Sequence, residues 1–170
     1  GTGPDGTNAL GNGVGVLIDS GAATNLLGGA ATAARNLISG NNQQGVVLRG
    51  ANTRLNRVQG NFIGPDLTGT NALPNADGVF IQASATANLL GGATKDTGNV
   101  ISGNLGNGVT FDGTGTTGNV LAGNLVGPDA SGVRMPFVRP LGTPPQVNGV
   151  VVGNNSTANI IGGAAAGARN

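Results

Sequence analysis

The sequence predicts an all-β solenoid: a parallel β-helix with three short strands per rung and about five rungs of 30–33 residues. Three observations predict it. A motif Gly-Val-x-(Ile/Leu/Phe/Val) starts at Gly15, Gly45, Gly78, Gly108 and Gly149, and each copy is followed ten or eleven residues later by Asn-x-(Leu/Val/Ile) at Asn25, Asn56, Asn88, Asn119 and Asn159. Each rung holds three apolar runs bounded by Gly, Asn and Ser, too short for helices and suited to strands. The 170 residues include 34 Gly and 22 Asn, the types that tolerate positive φ at tight corners.

The spacings alternate. Gly15 to Gly45 is 30 residues, Gly45 to Gly78 is 33, Gly78 to Gly108 is 30 and Gly108 to Gly149 is 41, so short rungs alternate with long ones in a 63-residue unit. In the first strand of each rung, the pairs Val16/Ile18, Val46/Leu48, Val79/Ile81, Val109/Phe111 and Val150/Val152 share one face and are expected to fill the core. In the second strand, Val58 between Arg57 and Gln59 fixes the inward position, which Leu27, Leu90, Leu121 and Ile161 share. The third strand follows in the strings around Leu37–Ile38, Phe62–Ile63, Val100–Ile101 and Leu125–Val126. The recurrent Asn fits a ladder in which each side-chain amide bonds the next. The segment 132–148 breaks the rhythm with an inserted, Pro-rich loop.

The strings "NLISGN" at 36–41, "NVISGN" at 99–104, "NLLGG" at 25–29 and 88–92, and "GNFIGPDLTGTNAL" at 60–73 resemble the bacterial right-handed parallel β-helix repeat of the pectate-lyase-like superfamily, in the variant found in long secreted and surface proteins. The resemblance covers essentially the whole chain. It implies a right-handed coil, in line with the crossover preference of parallel strands. It also implies an extracellular or cell-surface bacterial protein. The expected organisation is a single β-helix domain over 1–170 that forms a segment of a longer repeat array, because the chain begins inside a long-rung loop and ends on Asn170 where a third strand is due.

Composition narrows the chemistry. There is no Cys, His, Trp, Tyr or Glu, so neither a disulfide framework nor a thiolate metal site can form. Seven Arg and one Lys against seven Asp give a net charge of +1, with no basic stripe and no aromatic platform of the kind that nucleic acid requires. No apolar run approaches the roughly 20 residues of a membrane span. Asp19 and Asp112 share a rung position but stand three rungs apart, roughly 14 Å, too far for a glycosidase pair. Arg49 lies between Asp19 and Gln82 and reads as a surface ion-pair partner. Asp5, Asp66 and Asp129 recur in Gly-Pro-Asp and read as turn residues, with weak Ca²⁺ binding as the minor alternative. No catalytic residue or cofactor is assigned.

The positions between the core residues point outward and are apolar in most rungs. They are Leu17, Val47, Phe80 and Val151 on the first face, Leu26, Leu89, Val120 and Ile160 on the second, and Leu37, Phe62, Val100 and Leu125 on the third. Such stripes associate with a partner, lie under loops or stay exposed and tolerated, and "TNALPN" at 70–75 with Ala72 and Leu73 is suited to cover one of them. Arg134, Met135, Phe137 and Arg139 in the inserted loop are candidate contact residues. The expected function is a non-enzymatic structural segment of an extracellular fibre, stalk or adhesin, self-associating laterally or end to end. The alternative is a carbohydrate-binding or polysaccharide-lyase-type β-helix.

Overall fold

The computed structural model describes residues 1–136 and 146–170. The chain winds as a parallel β-helix. The first rung contains β1 (Val16–Ile18), β2 (Leu26–Gly28) and β3 (Leu37–Ile38). The second contains β4 (Gln44–Arg49), β5 (Arg57–Gln59) and β6 (Phe62–Ile63). The third contains β7 (Asp77–Gln82), β8 (Leu89–Gly91) and β9 (Val100–Ile101). The fourth contains β10 (Asn107–Asp112), β11 (Val120–Ala122) and β12 (Leu125–Val126), and the fifth β13 (Asn148–Gly153) and β14 (Ile160–Ile161). Equivalent strands stack into three parallel sheets, β1-β4-β7-β10-β13, β2-β5-β8-β11-β14 and β3-β6-β9-β12.

The register is the one that the repeats dictate. Val46 pairs with Val16 and Val79, Val58 with Leu27 and Leu90, and Ile63 with Ile38 and Ile101. A slip of one residue would turn every apolar side chain outward, which the packed interior forbids. The inward residues Val46, Leu48, Val58, Ile63, Val79, Ile81, Leu90, Ile101, Val109, Phe111 and Leu121 are fully buried. Each contributes about 1.5–3 kcal/mol relative to exposure. Val152 and Ile161, also inward by parity, are half exposed in the last described rung.

One asparagine ladder was legible in the sequence; the structure has three, one at each corner. The first runs Asn25–Asn56–Asn88–Asn119–Asn159, each Nδ2 donating to the next Oδ1 at 2.9–3.0 Å. The second runs Asn36–Asn61–Asn99–Asn124–Asn170 at 2.8–3.1 Å. The third runs Asn41–Asn75–Asn104 at 2.8 and 3.0 Å and ends on Gln146, whose Oε1 accepts from Asn104 at 3.4 Å. Gln146 is one methylene longer than Asn, and its buried Nε2 has no hydrogen-bond partner among the described residues.

The corner ahead of the first ladder is conformationally demanding. Thr24, Leu55, Ala87 and Ala158 all adopt positive φ there, between 51° and 60°. A left-handed L-residue costs roughly 1–2 kcal/mol. The ladder residue that follows holds the backbone in place: Asn88 accepts from the Asn56 amide and Asn56 Nδ2, and donates to Asn119 Oδ1 and the Thr53 carbonyl.

Asn88→Ala removes four bonds at once and orphans buried partners on two rungs. The expected loss is about 2–4 kcal/mol, against about 1 kcal/mol for Asn25→Ala at the half-exposed end of the ladder. Urea denaturation of the two variants checks the difference, and equal losses would contradict the ladder's role.

Candidate functional site

Short and long rungs elaborate different corners, and the result shapes the third face. The first and third rungs carry their extra residues between the second and third strands, as 3₁₀ turns at Thr32–Ala34 and Lys95–Thr97, and the fifth does the same at Ala166–Ala168. The long rungs turn that corner tightly through Gly60 and Gly123, and carry their extra residues after the third strand as Gly-Pro-Asp loops. The sheet β3-β6-β9-β12 therefore lies in a trough between a column of 3₁₀ turns and a column of loops. A cavity of about 610 Å³ occupies this trough, walled by Arg35, Lys95, Asp96 and Arg169 on one side and Thr68 and Ser131 on the other.

The loops are built around their aspartates. Asp5 accepts from the Thr7 amide and hydroxyl at 3.1 and 2.7 Å and from Asn8 Nδ2 at 3.1 Å. Asp66 accepts from the Thr68 amide and hydroxyl at 3.1 and 2.6 Å and from Asn71 Nδ2 at 2.8 Å, and Asp129 accepts from the Ser131 amide and hydroxyl. These are the turn bonds expected of Asp after Pro. Among the described residues no group of three or more His, Cys, Asp or Glu side chains is placed to hold a metal ion.

The outward stripes are covered to different degrees on the three faces. On the third face Phe62 and Val100 are buried, and Leu37 and Leu125 are half-buried. The loop column lies on Phe62: a Cβ added at Gly69 would stand 2.8 Å from its ring. The Arg35 guanidinium covers the ring at 4.1 Å from its centroid. Leu73 is buried, as loop cover by the 70–75 segment predicts. On the first face Val47, outward by parity, is only 3% exposed. It lies in register between Leu17 and the larger Phe80, and at the inter-strand spacing of about 4.8 Å these neighbours close over it. Phe80 and Val151 are half-buried and Leu17 is exposed.

The second face stays open. Leu26 and Ile160 are 58% and 53% exposed, Leu55 is exposed at the adjoining corner, and Leu89 and Val120 are half-buried. Arg57 interrupts this stripe in the second rung. In the inserted loop Arg134 and Met135 are exposed, while Phe137 and Arg139 lie outside the described residues. Arg49 pairs with Asp19 at 3.3 Å, the surface ion pair expected, worth under about 1 kcal/mol. The sequence reading missed the trough cations Arg35, Lys95 and Arg169: the Arg recurs only before Asn36 and Asn170, two of the five second-ladder residues, and Lys95 stands at another offset.

Comparison of the chain with protein-family models, with curated proteins and with solved structures returned no match in any of the three.

The loop carboxylates make acid the selective probe. Hydrogen bonds from Thr7 hold Asp5 below the usual carboxylate value of 3.8, and bonds from Ser131 do the same for Asp129. For Asp66 burial pushes upward, but Thr68 and Asn71 outweigh it and the net direction is down. A lowered folded pKa stabilises above the unfolded value and is lost as pH falls through the folded one. Below pH 3.8 the loops at 64–75 and 127–134 are therefore expected to lose hydrogen-exchange protection, while the amide ladders, which do not titrate, keep theirs. Asp66→Asn is expected to loosen the 64–75 loop at neutral pH. Simultaneous loss in loops and ladders would contradict this ordering.

Proposed function

We propose that this chain is a non-enzymatic structural segment of an extracellular fibre, stalk or adhesin of a bacterial surface protein, and that it associates with copies of itself through the open second face. The observation that carries this reading is the commitment of its acidic groups to architecture. Six of the seven Asp residues (Asp5, Asp19, Asp66, Asp77, Asp112 and Asp129) accept hydrogen bonds or ion pairs that tie loops or successive rungs together. The mechanism is mechanical. Three ladders and a continuous core fix each rung on the next, and the outward leucines and isoleucine of the second face supply the lateral contact.

Magnitude sets the expectation for assembly. Five rungs at about 4.8 Å present a strip about 24 Å long and a few hundred Å² in area, below the roughly 800 Å² per partner of a standard stable interface. A contact of this size belongs to the weak, transient class, and it strengthens with every rung that a longer array adds. Sedimentation is expected to show concentration-dependent association approaching about 1 mM, abolished by Leu26→Ser with Ile160→Ser. A strictly monomeric chain at that concentration would overturn the assembly reading.

The trough favours a second reading, an acidic-glycan-binding β-helix. Arg35, Lys95 and Arg169 against the single Asp96 give its wall a positive balance. Titration with an acidic oligosaccharide decides it: saturable binding, lost in Arg35→Ala with Lys95→Ala, supports the glycan reading, and heat-free titration rejects it.

A further inference from the structure

The alternation of rung types raises the question of what fits against a given rung. At the second corner, the long rung's tight turn is clamped between the 3₁₀-bearing loops of the two short rungs on either side. Gly60 N donates to the Thr97 carbonyl at 3.1 Å from one side, and the Gly60 carbonyl accepts from Arg35 Nε at 3.2 Å from the other. A Cβ at Gly60 would lie 2.1 Å from the Gly29 carbonyl oxygen and 3.4 Å from that of Asp96. Gly123 is held the same way, between the carbonyls of Gly92 and Gly167. The short-rung loops meet across the gap: a Cβ at Gly167 in the fifth rung would stand 2.1 Å from the Ala93 carbonyl oxygen in the third. Loops two rungs apart, about 9.6 Å along the stack, thus already touch.

The third corner repeats the rule with the roles exchanged. The Gly-Pro-Asp loops bond each other across the intervening short rung, Leu67 N to the Gly6 carbonyl at 3.1 Å and Ala130 N to the Gly69 carbonyl at 2.9 Å. The short rung beneath turns tightly and is bonded into the loop column, Gly40 N to the Leu73 carbonyl at 2.9 Å and Ser39 Oγ to the Pro65 carbonyl at 2.6 Å. Neither corner has space for loops on consecutive rungs.

We propose that rungs of this solenoid stack only in alternation: the surface of a short rung accepts a rung with a tight glycine second corner and a Gly-Pro-Asp third corner, and rejects another short rung. The first and fifth rungs are both short. A second short rung set directly on either of them is therefore excluded, although the strand edges and asparagine amides match. The partner that fits is a β-helical segment presenting a long rung. This inference goes beyond the lateral association proposed above and stands whether or not that association occurs.

Three variants of the whole chain test it by inserting rungs internally. Duplication of residues 15–77, one short and one long rung, preserves alternation and is expected to leave a single cooperative transition at or above the parent Tm. Duplication of residues 15–44 alone creates the short-on-short step and is expected to lower Tm by about 5–10 °C and to open the 28–35 loops to protease. The third variant replaces residues 28–35 in the added rung by Gln-Gly, the sequence at 59–60 of the long rung, and is expected to recover most of the lost Tm and the protease resistance. A single-rung duplication as stable and resistant as the parent overturns the proposal. So does failure of the trimmed variant to recover, since the instability would then lie outside the loops, and so does instability of the two-rung duplication.

Discussion

The structure depends on the saturation of the side-chain amide at each corner. A Cβ-bearing chain that turns three times in about 30 residues leaves backbone groups at every corner with no strand partner, and burial makes each of them costly. Asparagine resolves this with one residue. In the interior of a ladder its oxygen accepts from a backbone N–H and from the amide of the preceding rung, and its nitrogen donates to the following rung and to a backbone carbonyl of the preceding one. All four positions of the group are used. The left-handed conformations of Thr24, Leu55, Ala87 and Ala158 persist because the neighbouring amide fixes the chain on both sides of them.

The fold was largely legible because its period is written in the residues that cannot vary without breaking a bond. Val46, Val79 and Val109 recur beside glycine, and the register they imply is the register found. The second and third ladders were equally present, in the Asn of "NLISGN", "GNFIG" and "NVISGN", but these lie outside the Gly-Val motif that marks the first. The direction of the outward positions was legible, and their degree of cover was not. Parity gives the direction of a side chain and says nothing of what lies above it. Phe62 is buried by a glycine loop and an arginine whose positions depend on the neighbouring rungs.

The candidate site was less legible for the same reason. Ladder and core residues interact with their equivalents one rung away, so a repeat reveals them. The trough cations are not carried by every rung: Arg35 and Arg169 share one offset, directly before Asn36 and Asn170, Lys95 stands at another, and the long rungs have Gly60 and Gly123 there instead. The double rhythm of 30 and 33 residues was visible as a number, but its physical content, loops too thick for consecutive rungs, emerges only once Gly60 and Gly123 are seen wedged between carbonyls.

The ladders have a further property that follows from their direction. In all three, every Nδ2 points toward the following rung and every Oδ1 toward the preceding one. The amide dipoles are therefore co-aligned along the axis, as peptide dipoles are in a helix, and each polarises the next. The solenoid is electrically a vector. Its partial positive pole lies at the Asn159 and Asn170 end and its negative pole at the Asn25 and Asn36 end, and the separation between them grows with each rung while the net charge stays fixed by the side chains at the surface.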